Sequence, residues 1–152
     1  MQQRGRTWQC EISGGLEVIG DEELLRRAID NILGNVAAHT PEGSTATLTA
    51  TTAQDGQVVL EVSDDGPGVP PDQLPRIFDR FYRAGVPSGR PGSGLGLAIV
   101  AAVAAAHNGQ VTATASQPHG LRVTLTLPAA PTHPAAPQAG ATPEPQPEPG
   151  LV

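Results

Sequence analysis

Two stretches of this 152-residue chain combine residue types whose spacing suits ligand chemistry. The first is Asp64-Asp65-Gly66-Pro67-Gly68, which follows directly on the apolar run Val58-Val59-Leu60-Glu61-Val62. A carboxylate at the end of a strand can accept hydrogen bonds from an amino group. The glycines beside it permit positive φ and let a ligand approach bare main chain. The second is Gly92-Ser93-Gly94-Leu95-Gly96-Leu97, running into Ala98-Ile99-Val100. A glycine-rich loop that opens a helix presents backbone N–H groups, and such groups bind anions, phosphates above all. One stretch suits an amino-bearing base, the other a phosphate chain. The second is not a dinucleotide fingerprint: its pattern is G-x-G-x-G rather than G-x-G-x-x-G, and no strand leads directly into it. It is not a P-loop either, because no G-K-[ST] is present.

Those stretches need a scaffold, and the rest of the chain supplies one. Trp8, Cys10 and Ile12 alternate with polar residues, as in a half-buried strand. Gly14-Gly15 marks a turn, and Leu16-Glu17-Val18 reads as the returning strand. Asp21 is a plausible N-cap, with Glu22 and Glu23 favourably placed in the first turn of a helix running to His39. Leu25, Ile29, Ile32, Leu33 and Val36 form its apolar stripe, and Thr40-Pro41-Glu42-Gly43 ends it. Residues 45–52 and 57–63 read as strands joined at Asp55-Gly56, a strong hairpin signal. A short helix is expected from Pro70-Pro71-Asp72 to about Phe81, and residues 85–92 read as a mobile loop. An alanine-rich helix from Gly94 to about His107 stops at Asn108-Gly109, and residues 110–116 and 121–127 form a final hairpin.

Composition narrows the class. The formal net charge is −6 and Lys plus Arg total nine, which argues against a nucleic-acid partner. Cys10 is the only cysteine, so no internal disulfide is possible. No apolar run approaches the roughly 18 residues of a membrane span, and no secretory signal opens the chain. The expectation is a cytoplasmic domain, or a cytoplasmic piece of something larger, with no membrane contact by this segment. Half of the sixteen prolines fall within residues 128–152, among Ala, Gln and Glu. Such a segment buries too little apolar surface to offset its ordering entropy. The expected organisation is therefore one domain over residues 1–127 and a disordered Pro/Ala-rich tail over 128–152.

With these pieces in place, residues 8–127 resemble the catalytic ATP-binding domain of sensor histidine kinases, of the superfamily shared with gyrase, Hsp90 and MutL. Four blocks stand in the family's order: Asp30-Asn31-Ile32-Leu33-Gly34-Asn35 as the N box, Asp64-Asp65-Gly66-Pro67-Gly68 as the first glycine box, Arg76-Ile77-Phe78-Asp79-Arg80-Phe81-Tyr82-Arg83 as the F box, and Gly92-Ser93-Gly94-Leu95-Gly96-Leu97 as the second glycine box. Each alone has a plain structural reading as a turn, a solvated helix face or core. Together they do not. The resemblance implies an α/β two-layer sandwich of Bergerat type, with a mixed, mostly antiparallel sheet covered on one face by about three helices. It implies ATP and Mg²⁺ as ligands. Asn35 would be the Mg²⁺ ligand through its side-chain oxygen. Asn31, one helical turn away on the same face, would line the phosphate side. Asp64 would accept from the adenine amino group, with Gly66 and Gly68 letting the base lie against the chain. Gly92, Gly94, Leu95, Gly96 and Leu97 would close over the phosphates, and Phe78 and Phe81 would anchor the near end of that lid. Arg80, Arg83 and Arg90 are the candidates for the γ-phosphate, and the resemblance does not choose among them.

Hydrolytic relatives typically place a Glu general base at the position of Asn31. Asn is a poor base, which favours phosphoryl transfer to another group. Anti-sigma-type serine kinases usually carry an acid there and lack so clear an F box. A histidine kinase also needs a phosphoacceptor His, in the commonest type followed by an acidic residue. Here His39, His107, His119 and His133 are followed by Thr, Asn, Gly and Pro. The acceptor is thus expected on a separate dimerisation/phosphoacceptor domain or chain, with a response regulator downstream. A degenerate, non-catalytic nucleotide-binding module is the alternative. Ala37 and Ala38 favour it, because the family usually places Lys or Arg there facing the phosphates.

Overall fold

The computed structural model describes residues 2–3, 5–83 and 94–131. The chain forms β1 (Gln2–Gln3), β2 (Arg6–Ile12), α1 (Glu22–His39), β3 (Thr45–Thr52), β4 (Val58–Asp64), a 3₁₀ turn (Leu74–Arg76), α2 (Gly96–Ala106), β5 (Gln110–Ala115) and β6 (Leu121–Leu127). The strands make one six-stranded sheet in the order β1-β2-β3-β4-β6-β5. Every pairing is antiparallel except β2 with β3. This is the mixed, mostly antiparallel two-layer α/β arrangement expected.

Alternation in β3 and β6 sorts the two faces. Ala46, Leu48 and Ala50 on β3 and Leu121, Val123, Leu125 and Leu127 on β6 are buried, while the intervening threonines are not. The buried face receives Ala28, Ile32 and Val36 of α1 and Leu97, Val100, Val103 and Ala104 of α2. Ile32 and Val36 lie one turn apart, so α1 buries one stripe and leaves its outer face wet. Asp21 caps α1 by accepting the Leu24 N–H at 3.0 Å through Oδ1.

Two expectations are corrected. Leu16-Glu17-Val18 is not a strand. Instead β2 runs parallel to β3, in register from Thr7↔Thr45 to Ile12↔Ala50. Parallel neighbours need a crossover longer than a hairpin, and α1 supplies it, so residues 16–20 must carry the chain off the sheet. Glu17 accepts the Ala130 N–H at 2.8 Å, which seats this segment beside the end of the described chain. The third helix, expected through Phe81, is a single 3₁₀ turn. Pro71 and Pro75 lack the N–H groups that an α-helical ladder would need here, and isolated turns follow, such as Asp79 N–H to the Arg76 carbonyl at 2.9 Å. The loop expected at 85–92 and the tail from residue 132 onward lie outside the described residues. Among the described residues no helix is long and apolar enough to cross a membrane.

Candidate nucleotide-binding site

β4 delivers Asp64 to the floor of the site. Its side of the strand faces the core, and the residue is 8% exposed. Asp64 Oδ1 accepts the Gly66 N–H at 2.8 Å, and the carboxylate also accepts the Leu121 N–H at the start of β6. Burial pushes the Asp64 carboxyl above its ordinary value of 3.8, helped by the neighbouring Asp65 charge. The two backbone donors and the proximity of His39 act the other way. A carboxylate costly to desolvate but held by two fixed amides is an acceptor with a set direction. Asp65 does different work: its Oδ1 accepts the Thr45 N–H at 2.8 Å, tying the turn to β3.

The glycines here are steric requirements. Gly66 is buried, and a Cβ on it would lie 2.8 Å from Asp64 Oδ1 and 3.4 Å from Thr40 Cγ2. Gly68 has φ +72°, and its Cβ would lie 2.8 Å from the Gly120 carbonyl oxygen. Only bare backbone lets the turn lie this close to the β5–β6 connection.

Asn31 and Asn35 are both half-buried on α1. Asn31 faces the start of α2, with its Oδ1 3.8 Å from where a Gly96 Cβ would be. Gly96 is the first residue of α2, and the N-cap Leu95 gives no side-chain hydrogen bond to the helix. The opening amides of such a helix have no intrahelical acceptors. Leu97 itself is 8% exposed, and its side chain belongs to the core rather than to an open site. Among the described residues, the buried side-chain atoms without a hydrogen-bond partner include Asn31 Nδ2 and Thr40 Oγ1. One sits where α1 meets α2, the other beside the Asp64 turn. Buried polar groups are ordinarily paired, so each of these two atoms is a candidate contact for a polar guest.

The F-box aromatics separate. Phe78 is half-buried and packs on the core, whereas Phe81 is 72% exposed with φ +63°. Phe81 instead acts through its backbone, donating its N–H to the Gly94 carbonyl at 3.0 Å. Gly94 has φ +69°, and a Cβ there would lie 2.8 Å from the Phe81 Cα. The chain is thus pinched together on either side of residues 84–93. Arg76 stacks over the Tyr82 ring at 4.4 Å from its centroid. Arg80 is exposed and Arg83 half-buried; Arg90 and Gly92 fall outside the described residues. Ala37 is half-buried and Ala38 exposed. Thr40, His119 and the Leu121 amide were not legible as parts of the site. Thr40 reads only as a helix stop and His119 only as a histidine in a turn, because their partners are remote in sequence.

The chain belongs to the histidine kinase-, DNA gyrase B-, and HSP90-like ATPase family, which it matches over residues 20–131. Within that family it falls among the catalytic domains of sensor histidine kinases. It is similar to the sensor histidine kinase CusS of Escherichia coli K12, 44% identical over 115 residues, covering 74% of this chain and 24% of the relative. It is likewise similar to the signal transduction histidine-protein kinase/phosphatase MprB of Mycobacterium leprae, 40% identical over 121 residues, covering 77% of this chain and 23% of the relative. Among solved structures, a mycobacterial sensor histidine kinase MprB superposes with a TM-score of 0.75 at 34% identity, covering 82% of this chain and 84% of that one. The ATP-binding domain of PrrB from Mycobacterium tuberculosis superposes at 0.66 with 29% identity, covering 84% and 83%. The chain spans about a quarter of the length of the curated relatives it matches.

Proposed function

We propose that this chain binds ATP with Mg²⁺ and donates the γ-phosphoryl group to a histidine on a separate dimerisation/phosphoacceptor domain or chain, from which a response regulator is then phosphorylated. The observation that carries the reading is the buried Asp64 in its glycine turn, bonded to the Gly66 N–H and lying beside the orphaned Thr40 Oγ1, together with a second orphan, Asn31 Nδ2, on the helix that Thr40 caps, where that helix meets the start of α2. Asp64 accepts from the adenine amino group, and Gly66 and Gly68 leave room for the base. The Thr40 hydroxyl lies beside the same turn and is free to bond the base edge directly or through water. Asn31 Nδ2 donates to a phosphate oxygen. The opening amides of α2, with Gly94, Leu95, Gly96 and Leu97, supply further donors, and Gly92 belongs to the same loop. Arg80, Arg83 or Arg90 meets the γ-phosphate.

The residues present also fit a Mg²⁺ ion. Asn35 offers a neutral oxygen one turn from Asn31, and Mg²⁺ commonly takes only one or two protein ligands beside phosphates and waters. When bound, the ion neutralises charge on the phosphates as the γ-phosphoryl group departs. The chain's own work is positioning: α1 and α2 hold the phosphates between Asn31 and the α2 amides, and Asp64 fixes the base at the other end. No carboxylate on this face of α1 replaces Asn31 as a general base, which favours transfer to an acceptor over hydrolysis.

The functional unit is residues 1–127, with 128–152 as an appended tail, and it works in the cytoplasm. The test is phosphotransfer: incubation with γ-labelled ATP and a dimeric helical acceptor domain labels the acceptor histidine. Saturable ATP binding without transfer to any matched acceptor would favour the non-catalytic module, the reading to which Ala37 and Ala38 point.

A further inference from the structure

The connection between β5 and β6 grips the Asp64 turn at several points, and one grip is a side chain that the motifs above do not include. His119 Nδ1 lies 3.0 Å from the Gly66 carbonyl oxygen. That partner can only accept, so Nδ1 is the donor. Gly66 is therefore held at both ends: its N–H is bonded to Asp64 Oδ1 at 2.8 Å, and its carbonyl is held by the His119 ring. The next residue of the connection, Gly120, has φ +115°, and a Cβ on it would run into the Asp64 carbonyl. The Gly120 carbonyl in turn accepts the Ser116 N–H at 2.9 Å, closing the hairpin.

A turn built on Gly66 and Gly68 has backbone freedom that must be removed before its neighbour can present a fixed acceptor. Of these ties, the bond that closes the hairpin is main chain to main chain and the Asp64–Gly66 bond belongs to the turn itself. His119 is the one made by a side chain in the connection, so its contribution is separable from the fold. Resting on the ATP-binding reading above, we propose that His119 is a positioning residue for base recognition: it locks Gly66 and thereby aims Asp64 at the adenine amino group. It touches neither nucleotide nor metal.

The test compares the 152-residue chain with its His119→Ala and His119→Asn variants, titrating each with Mg²⁺-ATP and melting each without nucleotide. Asn places its amide nitrogen close to where Nδ1 stands and can donate to the same carbonyl. The expected result is a roughly three- to tenfold weaker ATP affinity for His119→Ala, the worth of one neutral hydrogen bond, with near wild-type affinity restored by His119→Asn. Unchanged affinity in His119→Ala, or an Asn variant as weak as the Ala variant, would overturn the assignment. If the weakening merely tracked a lowered nucleotide-free melting temperature in both variants, His119 would be a hairpin residue only. Failure of the wild-type chain to bind ATP at all would instead remove the reading on which the proposal rests.

Discussion

His107 Nε2 accepts the backbone N–H of Asp21 at 3.1 Å, joining the end of α2 to the cap of α1. Its Nδ1 donates to the Val103 carbonyl at 2.7 Å, so the ring is the neutral tautomer with an acceptor facing Asp21. The two helices pack against each other through their buried stripes, and this bond ties them at the end away from Asn31 and Gly96.

That contact predicts a specific non-additivity. His107→Ala should destabilise the chain by about 1–2 kcal/mol, from a lost hydrogen bond and lost packing. Gly20→Ala should also destabilise, because its Cβ would fall on the His107 ring. In urea unfolding, Gly20→Ala should cost clearly less when His107 is already Ala. Strictly additive losses would show that the two residues do not touch.

Asp64 predicts a pH dependence. Its folded-state proton affinity is raised above the ordinary value of 3.8 by burial, so the folded chain holds this proton more tightly than the unfolded chain. The resulting contribution to stability is fully present below 3.8 and lost as the pH rises through the raised folded value. Unfolding free energies of wild type and Asp64→Asn, measured across that window, should draw apart in this sense, with wild type losing ground as the pH rises. A difference independent of pH would contradict the burial account.

Much of this architecture is legible in the sequence because it is local. α1 is announced by Asp21, Glu22 and Glu23 and ended by Thr40-Pro41, and the structure has Glu22–His39. The alternations of residues 45–52 and 121–127 return as Thr45–Thr52 and Leu121–Leu127. What fails is non-local. Gly14-Gly15 turns the chain as expected, but whether Leu16-Glu17-Val18 pairs back depends on β3, a whole helix further along the chain, having already taken the β2 edge. Prolines within 70–75 make a helix start and a broken helix look alike until packing decides. In the site, Asp64, Gly66 and Gly68 carry a local signature. Thr40 and His119 do not, since each is defined by a residue that only the fold brings near.

The F-box aromatics should respond unequally. Phe78→Ala removes a half-buried ring packed on the core and should cost about 2 kcal/mol, below the 3–5 kcal/mol typical of a fully buried Phe. Phe81→Ala removes a ring that is 72% exposed and should stay within about 0.5 kcal/mol. Thermal melts of the two variants separate these values, and equal losses would place Phe81 in the core after all.

Asn35→Ala should leave the fold intact and abolish the gain in ATP affinity that Mg²⁺ confers, while binding without the ion persists. Isothermal titration with and without Mg²⁺ reads this directly. A variant that retains the full Mg²⁺ effect would take the ion away from Asn35.

The most direct measurement is a calorimetric titration of the 152-residue chain with ATP, in the presence and absence of Mg²⁺, beside the Asp64→Asn variant. The expected result is saturable binding that Mg²⁺ strengthens and that Asp64→Asn largely removes without unfolding the chain. No binding at millimolar ATP, or affinity unchanged in Asp64→Asn, would contradict it.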